Sequence, residues 1–532
     1  MTSISSISLT QLPGYVLGSL SVFLVVRHLY RTYNSPLRHL PGPPNSSIIF
    51  GNLKEIFSTE NSMMQEKWVE EYGPTIQYKG LLSKARLYTM DTKAISHILT
   101  NHYDYQKPDD ARFALSEVLG NGILITEGDR HKFQRKVMNP AFGPAQIRQL
   151  TGIFVDKSIE LRDAWKAQVE MTPDGTARIN VSEWLSKMTL DVIGLAGFNY
   201  DFHAINAADE ENELNSAFQT IFTQSIKARL WPILRTQIPP LRLLPTVNGK
   251  AVANARKAMA QIGKELLDDS KRAITQGDDK SSGRDLLSLL VKSNMNEKDE
   301  ARMNDEDVLA QVPTFLVAGH ETTSTATTWA LFALTQHPDV QRKLRDELLS
   351  LPTQNPNMDE LNSLPYLDAF VRETLRVHAP VPGTTRVAMR DGIIPLGEPV
   401  GGRDYVEISK GQVIFINILA LNRSKKVWGE DAREFKPERW LNGSVDTSLP
   451  GVWGSMMTFL GGARSCIGYR FSLVEMKALL FVLVRSFEYE LGVPKEDLGT
   501  RTTIVQRPFV RSDVQKGNQL PLLVRIYNAG EA

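Results

Sequence analysis

The chain has 532 residues, 42% of them hydrophobic and 23% charged, with a formal net charge of +1. That length supports a large buried core, and the near-neutral charge gives no electrostatic case for a nucleic-acid partner. Its single cysteine, Cys466, excludes an intrachain disulfide framework and any cysteine-rich zinc or iron–sulfur site.

Residues 1–26 carry no charged side chain. The uncharged length from residue 4 to 26 suits a bilayer span of about 20 residues. Arg27, Arg31 and Arg38 follow the apolar run, whereas a signal peptide carries its positive charge ahead of it. The expectation is a single-pass anchor over residues 1–30, with the remainder kept in the cytosol by the positive-inside rule. Pro41-Gly42-Pro43-Pro44 cannot be helical, so residues 31–46 read as a basic, proline-rich hinge and residues 47–532 as the catalytic domain. N-x-S/T sequons at Asn45, Asn180, Asn422 and Asn442 require a lumenal face and read as chance matches.

Further along, residues 76–78 and 86–90 read as strands of a small sheet, and residues 107–126 as loop-rich. In Gly128-Asp129-Arg130-His131-Lys132-Phe133-Gln134-Arg135, the i, i+4 spacing puts His131 and Arg135 on one helical face. Residues 150–300 read as mostly helical, with a polar loop at 276–283. A long helix is expected over 305–337, capped by Asp305. Pro313 either kinks its first turns or marks its true start. At its middle, Ala318-Gly319-His320-Glu321-Thr322-Thr323 sets an acid and an alcohol beside small residues. Glu373 and Arg376 are three apart and can pair. Residues 387–389 and 412–418 read as strands of a second sheet. Phe435-Lys436-Pro437-Glu438-Arg439-Trp440 follows, and then Phe459-Leu460-Gly461-Gly462-Ala463-Arg464-Ser465-Cys466-Ile467-Gly468.

This last stretch resembles, position for position, the F-x-x-G-x-R-x-C-x-G signature of the cytochrome P450 family. The resemblance covers nearly the whole chain, because the other motifs occur in the family's order. It implies a mainly α fold with minor β, the cytochrome P450 fold, preceded by a transmembrane helix. It also implies haem b, with Cys466 as the thiolate ligand of its iron. Such a ligand pushes electron density onto the iron. Glycines 461, 462 and 468 would let backbone N–H groups approach the sulfur, and Phe459 would shield it. The proximal helix would follow, its positive end toward the thiolate. Arg464, Arg135 and Arg386 would hold the haem propionates. His131 stands where the family usually has Trp and would add a hydrogen-bond donor.

On the other face of the haem, the A-G-x-[DE]-T-[TS] resemblance implies that Gly319 makes room for dioxygen, Thr322 hydrogen-bonds it and Glu321 relays protons. Glu373, Arg376 and Arg439 would form a buried network that pins the segment leading to Cys466. Phe113 and Leu119 are candidate pocket residues. Substrate-entry helices are expected near 210–265, with Phe218, Phe222 and Trp231 as channel candidates, and a C-terminal loop over 502–508 would reach back to the pocket. The implied activity is a monooxygenase that hydroxylates a lipophilic molecule at the endoplasmic reticulum membrane. Phe315, Leu316 and Val317 of the distal helix point to that lipophilic class. The implied electron source is NADPH–cytochrome P450 reductase, with cytochrome b5 as an additional partner. A basic patch of Arg130, Lys132, Arg135 and Lys136 is the expected dock. The expected substrate is a terpenoid of secondary metabolism; a fatty acid, sterol or xenobiotic is the alternative. Two other classes compete: a P450-fold isomerase or dehydratase without a reductase, and a non-enzymatic haem sensor or electron carrier.

Overall fold

Residues 75–89 form β1 (Thr75–Lys79) and β2 (Ala85–Thr89), an antiparallel pair in the computed structural model of the protein. The structure describes residues 18–528, apart from 20–21, 24–25, 28–29, 31, 61, 207–234, 237, 245–248, 277–284, 297–301, 442–447 and 503. Phe218, Phe222, Trp231, Asn442 and most of the expected anchor lie outside the described residues. Among the described residues no helix is long and apolar enough to cross a membrane.

The sheet is larger than the sequence suggested. β3 (Tyr105–Gln106), β5 (Thr384–Ala388) and β8 (Val413–Ile416) join β1 and β2 in one five-stranded sheet, in the order β1-β2-β8-β5-β3. The expected second sheet is therefore part of the first. β2 and β8 pair in parallel across more than 300 residues of chain, a contact that strand periodicity alone does not reveal. β4 (Thr176–Asn180) pairs with β12 (Pro521–Ile526), which also pairs with β9 (Phe487–Leu491). β6 (Gly392–Val400) pairs with β7 (Arg403–Ile408). The C-terminal loop expected over 502–508 is a hairpin of β10 (Leu498–Thr502) and β11 (Gln506–Val510).

The proline-rich segment is docked on the sheet. Its Pro41 carbonyl accepts from Gln77 N at 2.9 Å and its Pro44 carbonyl from Asn52 Nδ2 at 2.8 Å. Leu37 and Leu40, just ahead of it, are buried.

The helices that build the site are α1 (Thr92–Thr100), α2 (Asp109–Leu119), α3 (Gly128–Met138), α4 (Pro144–Glu170), α5 (Val181–Phe198), α6 (Gln311–Gln336), α7 (Pro365–Val377) and α8 (Tyr469–Ser486). α2 replaces most of the loop expected over 107–126. The distal helix is split: a short helix, Asp305–Leu309, ends at Ala310 before α6 begins. Its cap is Asn304, whose side chain accepts from Asp307 N at 2.7 Å, and not Asp305. Pro313 is the third residue of α6, where a backbone N–H would have no intrahelical partner, so it marks the true start.

α6 is rich in Ser and Thr yet almost wholly buried. Those hydroxyls bond back along the helix: Thr325 to the Glu321 carbonyl, Thr327 to Thr323 and Thr328 to Ser324, at 2.7, 3.0 and 2.7 Å. Satisfied in this way, the helix can cross the core with α5, α7 and α8 packed around it.

Candidate active site

The cysteine loop is held by its own backbone and by two glycines. Cys466 N donates to the Phe459 carbonyl at 2.9 Å, and Val452 N donates to the Leu460 carbonyl at 2.9 Å. A Cβ on Gly461 would run into the Pro450 carbonyl, and one on Gly462 would lie 2.5 Å from the Leu99 carbonyl at a φ of +67°. These two glycines are required by neighbouring backbone, not by approach to the sulfur. The N–H that reaches the thiol is that of Gly468. The Phe459 ring packs between Trp453 and Tyr469, with centroids 5.8 and 5.9 Å away. Cys466 is solvent-accessible, yet its thiol lies deep within the protein. Burial pushes its thiol pKa up, while the Gly468 N–H and the Arg135 charge pull it down. Two residues later Gly468 opens α8, so the positive end of that helix lies beside the thiol.

A buried ion network fixes the start of this loop. Arg376 and Glu373 are fully buried and paired through two hydrogen bonds of 2.7 and 2.8 Å. Arg376 also donates to the carbonyls of Asn422, Ala432 and Glu434. Asn422 in turn accepts from Met457 N and donates to Thr458 Oγ1, both at 2.8 Å, which leads straight into Phe459. Asn422 is therefore a structural residue with no exposed amide to glycosylate. Arg439 joins more loosely than expected: it lies 3.5 Å from Glu373 and 2.8 Å from Asp431. Trp440 Nε1 donates to the Glu373 carboxylate at 3.0 Å.

The expected propionate residues converge with two that sequence reasoning missed. Arg135 on α3 donates to the Ser465 carbonyl at 2.5 Å and to Ser465 Oγ at 3.2 Å, beside the cysteine. Arg464 donates to the Thr126 carbonyl at 2.6 Å and is ion-paired with Glu127. Arg386 on β5 is buried and donates to Thr384 Oγ1 and to the Thr385 carbonyl. The fourth cation is Lys107, whose Nζ donates to the Leu124 carbonyl at 2.8 Å. Burial lowers the Lys107 pKa to about 7, with the charges of Arg464 and Arg386 contributing, and lowers Arg386 to about 10. His131, buried on α3, falls to about 3 through burial and the charges of Arg464, Arg135 and Lys107. It is thus a neutral hydrogen-bonding group at neutral pH. Three arginines, with a lysine that is half charged near pH 7, around one carboxylate leave an excess of positive charge that favours a multiply charged anion.

On α6, Ala318 is exposed and Gly319 and Thr322 are partly so, although their neighbours along the helix are buried. Thr322 Oγ1 donates to the Ala318 carbonyl at 2.7 Å. Gly319 also has a packing role: a Cβ there would lie 2.7 Å from Ile193 Cδ1 of α5, so the glycine admits the neighbouring helix. Phe315, Leu316 and Val317 are core residues, and Phe315 packs on Phe142 and Phe198 with centroids 5.6 and 6.4 Å away. They line nothing accessible. Leu119 is likewise core, and Phe113 lies under the guanidinium groups of Arg235 and Arg242. Of the expected basic dock, Arg130 is paired with Asp307 and Arg135 is turned inward to Ser465.

A cytochrome P450 family model matches residues 41–508. The chain belongs to the cytochrome P450 family. It is 54% identical to cytochrome P450 monooxygenase 205 of Postia placenta, with 97% of each chain covered. Monooxygenase 128 of the same fungus is 49% identical, with 99% of each covered. Cytochrome P450 monooxygenase claP of Ampulloclitocybe clavipes is 36% identical over 94% of this chain and 95% of its own. The protein is therefore a P450 monooxygenase of the haem-thiolate type.

The residues present fit that cofactor. The excess of buried positive charge suits two propionates, held by Arg135, Arg386, Arg464 and Lys107, with His131 as a neutral donor. The accessible Cys466 thiol would serve as a ligand of the haem iron, and coordination would deprotonate it outright.

His131 and the other buried histidine of the site, His320, which burial and Arg507 also hold at about 3, give the P450 a defined response to acid. Both pKa values are depressed below the usual 6.5, so the unfolded chain binds more protons between about pH 3 and 6.5. The contribution of the two histidines is full above about pH 6.5 and is lost progressively as pH falls below it. Urea midpoints from pH 7 to 5 check this: His131→Gln is expected to flatten the slope. An unchanged slope contradicts the assignment.

Proposed function

We propose that this P450 hydroxylates a lipophilic small molecule with a terpenoid skeleton, RH + O2 + 2e− + 2H+ → ROH + H2O, with electrons from NADPH–cytochrome P450 reductase. Haem, once bound at Cys466, supplies the oxygen-activating chemistry. The protein's own residues hold the cofactor, place the substrate and move protons. The observation that carries the reading is the accessible strip Ala318, Gly319 and Thr322 on an otherwise buried helix. It offers two small apolar surfaces and one hydroxyl, which suits a hydrocarbon framework and a proton donor. Thr322 Oγ1 holds the proton nearest the substrate side, and Glu321, next in the chain, resupplies it. Similarity over the full length to fungal P450 monooxygenases supports a dedicated small-molecule oxidase. Residues 1–30 anchor the protein in the endoplasmic reticulum membrane with the catalytic domain in the cytosol, a reading supported by the uncharged run and the arginines after it.

Reconstitution of the full-length holoprotein with reductase and NADPH tests this. A panel of terpenoids, fatty acids and sterols is scored by mass spectrometry for a single added oxygen. Terpenoid hydroxylation is expected, and Thr322→Ala is expected to lower product per NADPH by roughly tenfold or more while peroxide rises. Oxygenation of fatty acids or sterols alone would overturn the substrate class. Unchanged product in Thr322→Ala would overturn the proton role.

A further inference from the structure

Arg372 stands one position before Glu373 on α7, with 27% of its side chain exposed. Its Cζ lies 4.5 Å from the ring centroid of Trp453 and 5.6 Å from that of Trp440, so the guanidinium rests on two indoles. Trp453 in turn meets Phe459 edge-on, and Phe459 meets Tyr469, at centroid distances of 5.8 and 5.9 Å. The backbone of this aromatic row is what holds the cysteine. The Phe459 carbonyl accepts from Cys466 N, and Tyr469 directly follows Gly468, whose N–H reaches the thiol.

The guanidinium is aimed from the helix side. Arg372 Nε donates to Asp368 Oδ2 at 2.6 Å, one turn earlier on α7. The other Asp368 oxygen accepts from Lys477 Nζ of α8 at 2.8 Å, and Lys477, itself buried, also donates to Asn362 Oδ1 at 2.9 Å. Trp440 is fixed by its bond to Glu373 and by Trp428, 5.7 Å away. The loop leaves room for the cation: Gly454 has a φ of +63°, and a Cβ there would lie 3.2 Å from Arg372 Nη1. A part-exposed i, i+4 ion pair contributes little by itself, so the Asp368 contact serves to direct Arg372 onto the indoles.

We propose that Arg372 is a positioning residue for the thiolate ligand: it holds Trp453, Trp453 holds Phe459, and the Phe459 carbonyl keeps Cys466 in place to bind iron. Arg135 is the cation that acts on the thiol directly, whereas Arg372 acts through the indole. This support is separate from the Glu373–Arg376 network, which enters the loop through Asn422 at Met457 and Thr458. It concerns the ligand loop and is independent of the substrate. Loss of the ligand is a proton uptake: the iron–sulfur bond breaks, the sulfur takes a proton from water to become a thiol, and no electron is transferred. Loosening of the aromatic row speeds that loss without unfolding the domain.

The test uses full-length holoprotein and compares wild type, Arg372→Met, Arg372→Lys, Trp453→Leu and the double Arg372→Met/Trp453→Leu variant. The first readout is the rate at which the thiolate-type carbon monoxide band of the reduced protein gives way to the neutral-ligand type in a fixed, sub-denaturing concentration of urea. The second is the iron–sulfur stretching band of the oxidised protein by resonance Raman, and the third is the urea midpoint of overall unfolding by far-UV circular dichroism. Arg372→Met and Trp453→Leu are each expected to lose the thiolate band several-fold faster than wild type and to shift or broaden the iron–sulfur band, with little change in the unfolding midpoint. Arg372→Lys, which keeps the cation, is expected to lie between them and wild type, and the double variant to be no faster than the worse single one. A wild-type rate in Arg372→Met overturns the proposal, as does full additivity in the double variant, because the two residues would then act independently. A fall in the unfolding midpoint large enough to account for the faster loss also overturns it, because the role would be general packing. If Arg372→Met does not fold, Arg372→Lys decides, and a wild-type rate and iron–sulfur band there overturn the proposal. Wild type without a thiolate-type band would refute the cofactor assignment and the proposal with it.

Discussion

Arg376→Ala is expected to yield protein that does not retain haem. The substitution removes five hydrogen bonds donated by a fully buried guanidinium and leaves the Glu373 carboxylate buried with the more distant Arg439 as its one cation among the described residues. Breaking such a pair costs about 3–5 kcal/mol, a large part of a domain's total stability. The damage also has a direction. Arg376 holds the Asn422 carbonyl, and Asn422 holds Met457 and Thr458, the residues that lead to Phe459 and Cys466. Loss of the arginine therefore frees the ligand loop before it unfolds the remote sheet of β4, β12 and β9. Haem content per mole of purified protein, with the urea midpoint, measures both effects. Haem content equal to wild type would show that the network is not what positions the loop.

The second large effect separates Gly461, which lies at a variable position of the signature, from Gly468, which lies at a fixed one. Gly461→Ala is expected to destabilise the protein by about 3 kcal/mol and to displace the cysteine loop, because the new Cβ meets the Pro450 carbonyl, a backbone atom that cannot swing aside. Gly468→Ala places its Cβ 3.7 Å from the Phe142 ring, ordinary contact, and is expected to stay within about 1 kcal/mol of wild type. Thermal midpoints and haem retention of the two variants check this. Equal tolerance of both would mean that the backbone at Pro450 yields.

The contrast shows what the chain displays openly and what it conceals. The cysteine stretch, the Glu373–Arg376 pair and the α3 face of His131 and Arg135 are legible because each is local, set by spacing within one element. Lys107 and Glu127 escaped notice because a lone lysine before Pro108 and a glutamate before Gly128 look like surface residues. Only the fold brings them to Arg464 and Arg386. The packing role of Gly319, the approach of Ile193 on α5, leaves no mark in the sequence of α6. Phe315, Leu316 and Val317 were taken to point to a lipophilic substrate because an apolar run does not say which hydrophobic environment it faces. The merging of two expected sheets into one has the same origin, since β2 and β8 pair across most of the chain.

The most direct test of the account is the carbon monoxide difference spectrum of the reduced full-length protein, recorded beside Cys466→Ser. The prediction is a Soret band at the haem-thiolate position in wild type that is lost in the variant. The same thiolate-type band in both proteins would contradict the assignment of Cys466 as the iron ligand, and well-folded wild type without haem would contradict the cofactor site itself.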